Sequence, residues 1–138
     1  MRISMCLTKE RNVKAELKSL TSIDIDELTY WPDDEAMFAF NVDAAIGPDT
    51  DDSSNNFCFF VCTPNWISSK AINRNFGDFG VFGRHMIVVI EYDWEKIRQL
   101  IEKLCSDTSG ESWNEIARKL ASYGRWEFED HIATSALA

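Results

Sequence analysis

Two apolar runs on either side of a ten-residue stretch of turn formers constrain this chain more than any other feature. In Phe38 to Ile46 (FAFNVDAAI), Phe38, Phe40, Val42, Ala44 and Ile46 recur at every second position, the period that turns one face of a strand toward a core. Gly47-Pro48 is read as its stop, since proline has no N–H for a ladder. Gly47 to Asn56 (GPDTDDSSNN) consists of residues that bend or bond their own backbone, which predicts a mobile hairpin loop. Phe57 to Cys62 (FCFFVC) is apolar throughout and too short for a helix, so it is expected to be a strand buried on both faces. The two strands then pair antiparallel.

The flanking segments extend this hairpin into an α+β domain. Val13 to Leu20 (VKAELKSL) alternates Val13, Ala15 and Leu17 with charged residues, as a strand with one wet face does. Residues 1–12 lack that pattern and are expected to form a flexible leader. Thr21 to Glu35 contains Pro32 and reads as a long connection anchored by Tyr30 and Trp31. Thr63 as N-cap and Pro64 at the first helical position open a short helix to about Asn73, with Trp66, Ile67 and Ile72 available to the core. Phe76 to Gly83 spaces glycines with phenylalanines as a loop. Met86 to Tyr92 (MIVVIEY) is rich in β-branched residues and is expected to be a central strand. Asp93 caps a helix to Cys105 with an apolar stripe of Ile97, Leu100, Ile101, Leu104 and Cys105. Ser112 and Glu115 have the spacing of a capping box, and Trp113, Ile116, Ala117, Leu120 and Ala121 continue a second helix toward Tyr123, ended by Gly124. Trp126 and Phe128 flank Glu127 in a last short strand. The expected fold is a single domain: a mostly antiparallel sheet of four or five strands, with two longer C-terminal helices and one short helix packed on it. The domain spans 13–130, between the leader and a tail at 131–138. A length of 138 residues suits one such unit.

Charge is the bulk property that bears on function. The chain has 23 acidic and 14 basic residues, a net charge of -9 that repels nucleic acid and anionic lipid and attracts basic partners. The excess is local. From Thr21 to Ser69 there is no Lys or Arg, but there are ten acids: Asp24, Asp26, Glu27, Asp33, Asp34, Glu35, Asp43, Asp49, Asp51 and Asp52. Such a surface is either a solubilising face or a docking surface for a basic protein. No window reaches the ~18 to 20 apolar residues of a membrane helix. Charge returns at Lys9 before a signal-peptide core forms, so the chain reads as cytoplasmic. Cys58 and Cys62 on one strand would lie about 13 Å apart at ~3.3 Å per residue, too far for a disulfide, and reduced thiols are expected.

No catalytic or cofactor motif stands out. Asp49, Asp51 and Ser53 have the first spacings of a calcium loop, but Ser54 stands where glycine is required and Phe60 where the bidentate Glu belongs. The glycines at 77, 80 and 83 lack the lysine and serine or threonine of a phosphate loop. Zinc spacings are missing as well. A Cys/His enzyme would have to combine Cys62 or Cys105 with His85, although these thiols sit on core-facing patterns that keep them inert. Five tryptophans, at 31, 66, 94, 113 and 126, are a large supply of rings, and an exposed one beside acids would make an interface anchor.

Taken together, five segments resemble the immunity protein 8 family of bacterial polymorphic toxin systems: VKAELKSL at 13, the strand ending Ile46-Gly47-Pro48, FCFFVCTPNWI at 57, FGRHMIVVIEYDWEKI at 82 and GESWNEIARKLASYGRWEFED at 110. The most specific are the Cys-Thr-Pro-x-Trp segment and the closing Trp-Glu-Phe-Glu-Asp, and the resemblance covers about Val13 to Asp130. It implies a cytoplasmic, non-enzymatic protein without cofactor or metal. Such a protein binds the C-terminal domain of a secreted toxin, often a nuclease, and protects the producing cell. A nuclease carries a basic surface for phosphate, which an acidic protein would find by electrostatic steering. The residues expected to meet it are Asp24, Asp26, Glu27, Asp33, Asp34, Glu35, Asp49, Asp51 and Asp52, or alternatively Trp126, Glu127, Glu129 and Asp130. Competing readings are the small Cys/His enzyme and an assembly module that oligomerises through a sheet edge or the aromatic loop. A homodimer is compatible with each.

Overall fold

The computed structural model describes residues 12–72 and 82–129, and in them the chain is α+β. The expected leader, most of the aromatic loop, Asp130 and the tail lie outside the described residues. Strands β1 (Val13–Thr21), β2 (Ala39–Pro48) and β3 (Asn55–Cys62) form an antiparallel meander, followed by helix α1 (Pro64–Ile72). Then come β4 (Met86–Val88), α2 (Trp94–Ser106), β5 (Ser109–Gly110), α3 (Trp113–Leu120) and β6 (Arg125–Trp126). The order across the curled sheet is β4-β3-β2-β1-β5, with β6 also on β3. Helices α2 and α3 cover one face. No helix among the described residues is long and apolar enough to cross a membrane.

The period-two pattern of β2 becomes packing directly. Phe40, Val42, Ala44 and Ile46 are buried with Phe57, Phe59 and Val61 of β3, against Ile97, Ile101 and Cys105 of α2 and Ile116, Ala117 and Leu120 of α3. Leu100, expected in the α2 stripe, is instead exposed. The capping residues do what their spacing predicts. Thr63 Oγ1 accepts from Trp66 N at 3.3 Å, Asp93 Oδ1 from Lys96 N at 3.1 Å and Ser112 Oγ from Glu115 N at 3.2 Å. Glu115 completes its box one residue early, accepting from Glu111 N at 2.6 Å.

Strand β2 stops at Gly47-Pro48 as expected: both residues remain in register with Glu16 and Ala15, and proline is tolerated because it is the last residue of the strand. Three other expectations need correction. In β1 the alternation is broken by a register shift between Leu17 and Ser19, and this shift is what lets both Ala15 and Leu20 face the core. Strand β3 is buried on one face, while on the other Cys58 and Phe60 are half-buried, with Trp66 of α1 standing 5.3 Å from the Phe60 ring. Met86 to Tyr92 is not a central strand. Only Met86–Val88 pairs, parallel to β3 and at the sheet edge. The cause is the length of the partner: β6 takes Phe57 and Cys58 on that edge of β3, β4 takes Phe60 to Cys62, and β3 then turns into α1. The rest of the run leaves the sheet, and Tyr92 N donates to Glu35 O at 2.9 Å.

Candidate functional site

The sheet divides the acidic residues into two groups. Thr21 of β1 pairs with Asp43 at one end of the β1–β2 ladder and Ala15 with Pro48 at the other, roughly 20 Å away at ~3.3 Å per residue. The connection carrying Asp24 to Glu35 leaves from the first end and the hairpin carrying Asp49 to Asp52 from the second. They do not form one patch.

In the connection, several acids hold the backbone in place. Where β1 ends, Ser22 and Asp24 take over the edge of β2: Asp24 Oδ2 accepts from Asn41 N at 2.7 Å, and Ser22 Oγ donates to Asn41 O at 2.5 Å. The Asp26 carboxylate accepts from Leu28 N at 3.0 Å and that of Asp34 from Ala36 N at 2.9 Å, each the short-range bond by which Asp closes a turn. The side chains of Glu27, Asp33 and Glu35 make no hydrogen bond or ion pair among the described residues.

Of these three, Glu27 lines an aromatic groove of about 410 Å³, together with Leu28, Tyr30, Trp31, Tyr92, Asp93, Trp94 and Glu95. The anchors expected at Tyr30 and Trp31 both lie edge-on to Tyr92, with ring centres 5.2 and 5.3 Å away, and Trp94 stacks on Phe40 at 6.4 Å. Trp31 nevertheless remains 62% exposed. Burial raises the Tyr92 phenol above its ordinary value, and Tyr30, Glu27 and Asp93 push it the same way; Tyr30 is raised by burial and then by Asp33. The Tyr92 hydroxyl is buried and has no hydrogen-bond partner among the described residues.

The hairpin differs in that two of its three acids, Asp49 and Asp51, are tied down. Asp49 N donates to Lys14 O at 2.9 Å, and Lys14 N to Asp49 Oδ1 at 3.3 Å. Asp51 accepts from both the backbone and the hydroxyl of Ser53, which lowers its carboxyl below the usual value, and Lys18 Nζ reaches the Asp51 carbonyl at 2.7 Å. The oxygens that suggested a calcium loop thus close a turn. The C-terminal candidates adjoin this end: Glu127 exchanges hydrogen bonds with Asn56, and Glu129 pairs with Arg84 at 3.0 Å. Trp126 is buried and stacked on Phe57, with its indole N–H 3.3 Å from Asn55 Oδ1. Its ring belongs to the core.

The thiols are not arranged as nucleophiles. Cys62 and Cys105 are buried, and burial, with Glu102 adding to it, pushes the Cys105 thiol up to about 12. Cys62 and the half-buried Cys58 are raised chiefly by burial as well. His85, in a left-handed backbone conformation at φ 60°, places Nε2 3.1 Å from Ala121 O. A cleft of about 520 Å³ beside it, between β4 and α2, is lined by neither Cys62 nor Cys105. No group of three metal-ligating side chains occurs among the described residues.

The residues that sequence reasoning missed are Tyr92, Asp93, Trp94 and Glu95. Their acid–aromatic alternation was the available signal, but it was absorbed into a strand end and a helix cap. With the geometry in hand, comparison with known proteins gives one result: the family model described as Immunity protein 8 matches residues 15–131. No curated protein and no solved structure matches the chain. The match covers most of the sequence, and the chain belongs to the immunity protein 8 family.

Proposed function

We propose that this member of the immunity protein 8 family acts in the cytoplasm as a stoichiometric, non-enzymatic inhibitor of a polymorphic toxin. It binds the toxin's C-terminal domain, a basic, nucleolytic domain being the best complement to its charge, so that the producing cell survives. Family membership carries the reading. The charge distribution supports the character of the partner, since a stretch of ten acids without a base attracts a cationic surface and raises the rate of encounter. The buried, raised thiols support inhibition by binding, because a thiol above its ordinary pKa is a poor nucleophile at neutral pH.

Of the acids, Glu27, Asp33 and Glu35 are the best placed to steer, since no base or backbone donor among the described residues pairs with their side chains. Asp24, Asp26 and Asp34 add charge while holding the loop. The hairpin acids and Glu127 and Glu129 form a second, weaker candidate surface.

The test is growth of cells expressing the C-terminal domain of the large secreted protein encoded beside this chain, with and without the chain, followed by co-purification. Rescue with a one-to-one complex is the expected outcome. Rescue without a complex would move the reading toward chemistry on the toxin, and no rescue by a folded chain would end the pairing.

A further inference from the structure

We propose that the groove between residues 27–31 and the start of α2 receives an arginine side chain of the basic protein that this chain binds. The partner rests on the immunity reading above; the ligand chemistry rests on the groove itself. Three observations converge on it.

The first is apolar exposure. Leu28 is 89% exposed and Trp31 62%, on a loop otherwise dominated by carboxylates. Large apolar side chains left open beside charge are typical of the anchors of binding surfaces. The second is charge. Glu27, Asp93 and Glu95 line the groove, and Asp33 and Glu35 lie on the same loop. Arg98 stands 3.8 Å from Glu95 at the helix side, while Glu27 and Asp93 form no ion pair among the described residues. The third is the hydroxyl of Tyr92. Its residue is 5% exposed, its oxygen has no partner among the described residues, and the groups that act on it electrostatically, Tyr30, Glu27 and Asp93, all line the groove. A buried hydroxyl without a partner is costly to keep, and a donor entering from the groove would satisfy it.

Arginine answers all three. Its planar guanidinium stacks on aromatic faces such as Trp31, and its five donors can reach a carboxylate and the Tyr92 oxygen together. A lysine ammonium is a more strongly hydrated point charge without that planar fit. The groove's volume of about 410 Å³ accommodates the side chain with its methylenes along Leu28.

The test has two arms. In the first, the full chain is titrated with N-acetyl-arginine amide or with the uncharged isostere N-acetyl-citrulline amide, while the indole N–H signals are followed by NMR. Arginine is expected to shift Trp31 and Trp94 and leave Trp66 and Trp113 in place, and citrulline to do neither. Trp31→Ala removes the response, and Tyr92→Phe, which deletes only the hydroxyl, weakens it. Equal shifts with citrulline, or arginine shifts no larger at Trp31 than at Trp66, would overturn the proposal. In the second arm, Trp31→Ala is expected to raise the dissociation rate of the toxin complex about 30-fold and Trp31→Phe to recover most of it. An unchanged rate in Trp31→Ala, with cells still protected, rejects the groove and leaves the immunity reading intact. If the unmodified chain forms no complex at all, the immunity reading fails, and the arginine titration alone decides whether the groove binds its ligand.

Discussion

The connection from Ser22 to Met37 and the hairpin from Gly47 to Ser54 are both acidic, both loops, and both free of lysine and arginine, yet they use their carboxylates differently. The hairpin folds back against β1, where Lys14 N donates to the Asp49 carboxylate and Lys18 Nζ to the Asp51 carbonyl, and with Ser53 N donating to the Asp51 carboxylate both acids are bound into the turn. The connection lies at the opposite end of the ladder, and there the side chains of Glu27, Asp33 and Glu35 make no hydrogen bond or ion pair among the described residues. Charge counted along a sequence therefore overstates the field of the hairpin and understates that of the connection. What a carboxylate offers a partner is the part of it that the fold does not already use.

The sharpest way to break this comparison is charge reversal. Glu27→Lys, Asp33→Lys and Glu35→Lys together should slow association with a basic partner about 100-fold at low salt and flatten its salt dependence, as loss of steering does. The same reversal at Asp49, Asp51 and Asp52 should slow it only about threefold. Stopped-flow association at several ionic strengths would measure both. Equal losses would mean that the two loops act as one field.

The next effect is on stability and runs the other way. A Cβ on Gly47 would lie 1.8 Å from the Ser53 carbonyl oxygen and against the Ser54 backbone, where nothing flexible can yield. Gly47→Ala should therefore destabilise the chain by about 2 kcal/mol in urea unfolding, the cost of overpacking. Trp31→Ala, on the connection, should leave the urea midpoint nearly unchanged. Asp24→Ala falls between these: it removes the acceptor for Asn41 N, worth about 1 kcal/mol. It should also slow association slightly, because Asp24 serves the fold and the field together.

Much of this arrangement was legible in the chain. The alternation in Phe38 to Ile46 and the caps at Thr63, Asp93 and Ser112 depend on neighbours within one turn or one strand, so local pattern describes them well. The edge position of Met86–Val88 was not legible. Its β-branched residues report that a strand is favourable, but how far it can pair depends on β3, whose edge it shares with β6. The groove was hidden for a similar reason. Trp31 and Tyr92 are 61 positions apart and meet only because the chain leaves the sheet at Val89 and returns to Glu35. The division of the acids into two groups likewise follows from strand register, to which a count of charges is blind.

The smallest expected effect tests the hairpin side of the comparison at the level of one proton. Asp51 has a folded-state pKa below its ordinary 3.8, first because the Ser53 hydroxyl donates to its carboxylate and then because the Ser53 N–H does. A depressed folded pKa means that the unfolded chain binds the proton more readily, so the contribution of Asp51 to stability is present above pH 3.8 and is lost as pH falls through the lower folded value. Asp51→Asn should accordingly lower the urea midpoint near neutral pH, and the two proteins should converge as the medium becomes more acidic than the unfolded pKa. A carboxylate in the connection gives the contrast. Glu35→Gln, where no donor among the described residues holds the side chain, should leave the urea midpoint near neutral pH unchanged. If Glu35→Gln lowered the midpoint more than Asp51→Asn, the connection would be using its charge for the fold after all, and the hairpin would be the surface left over for a partner.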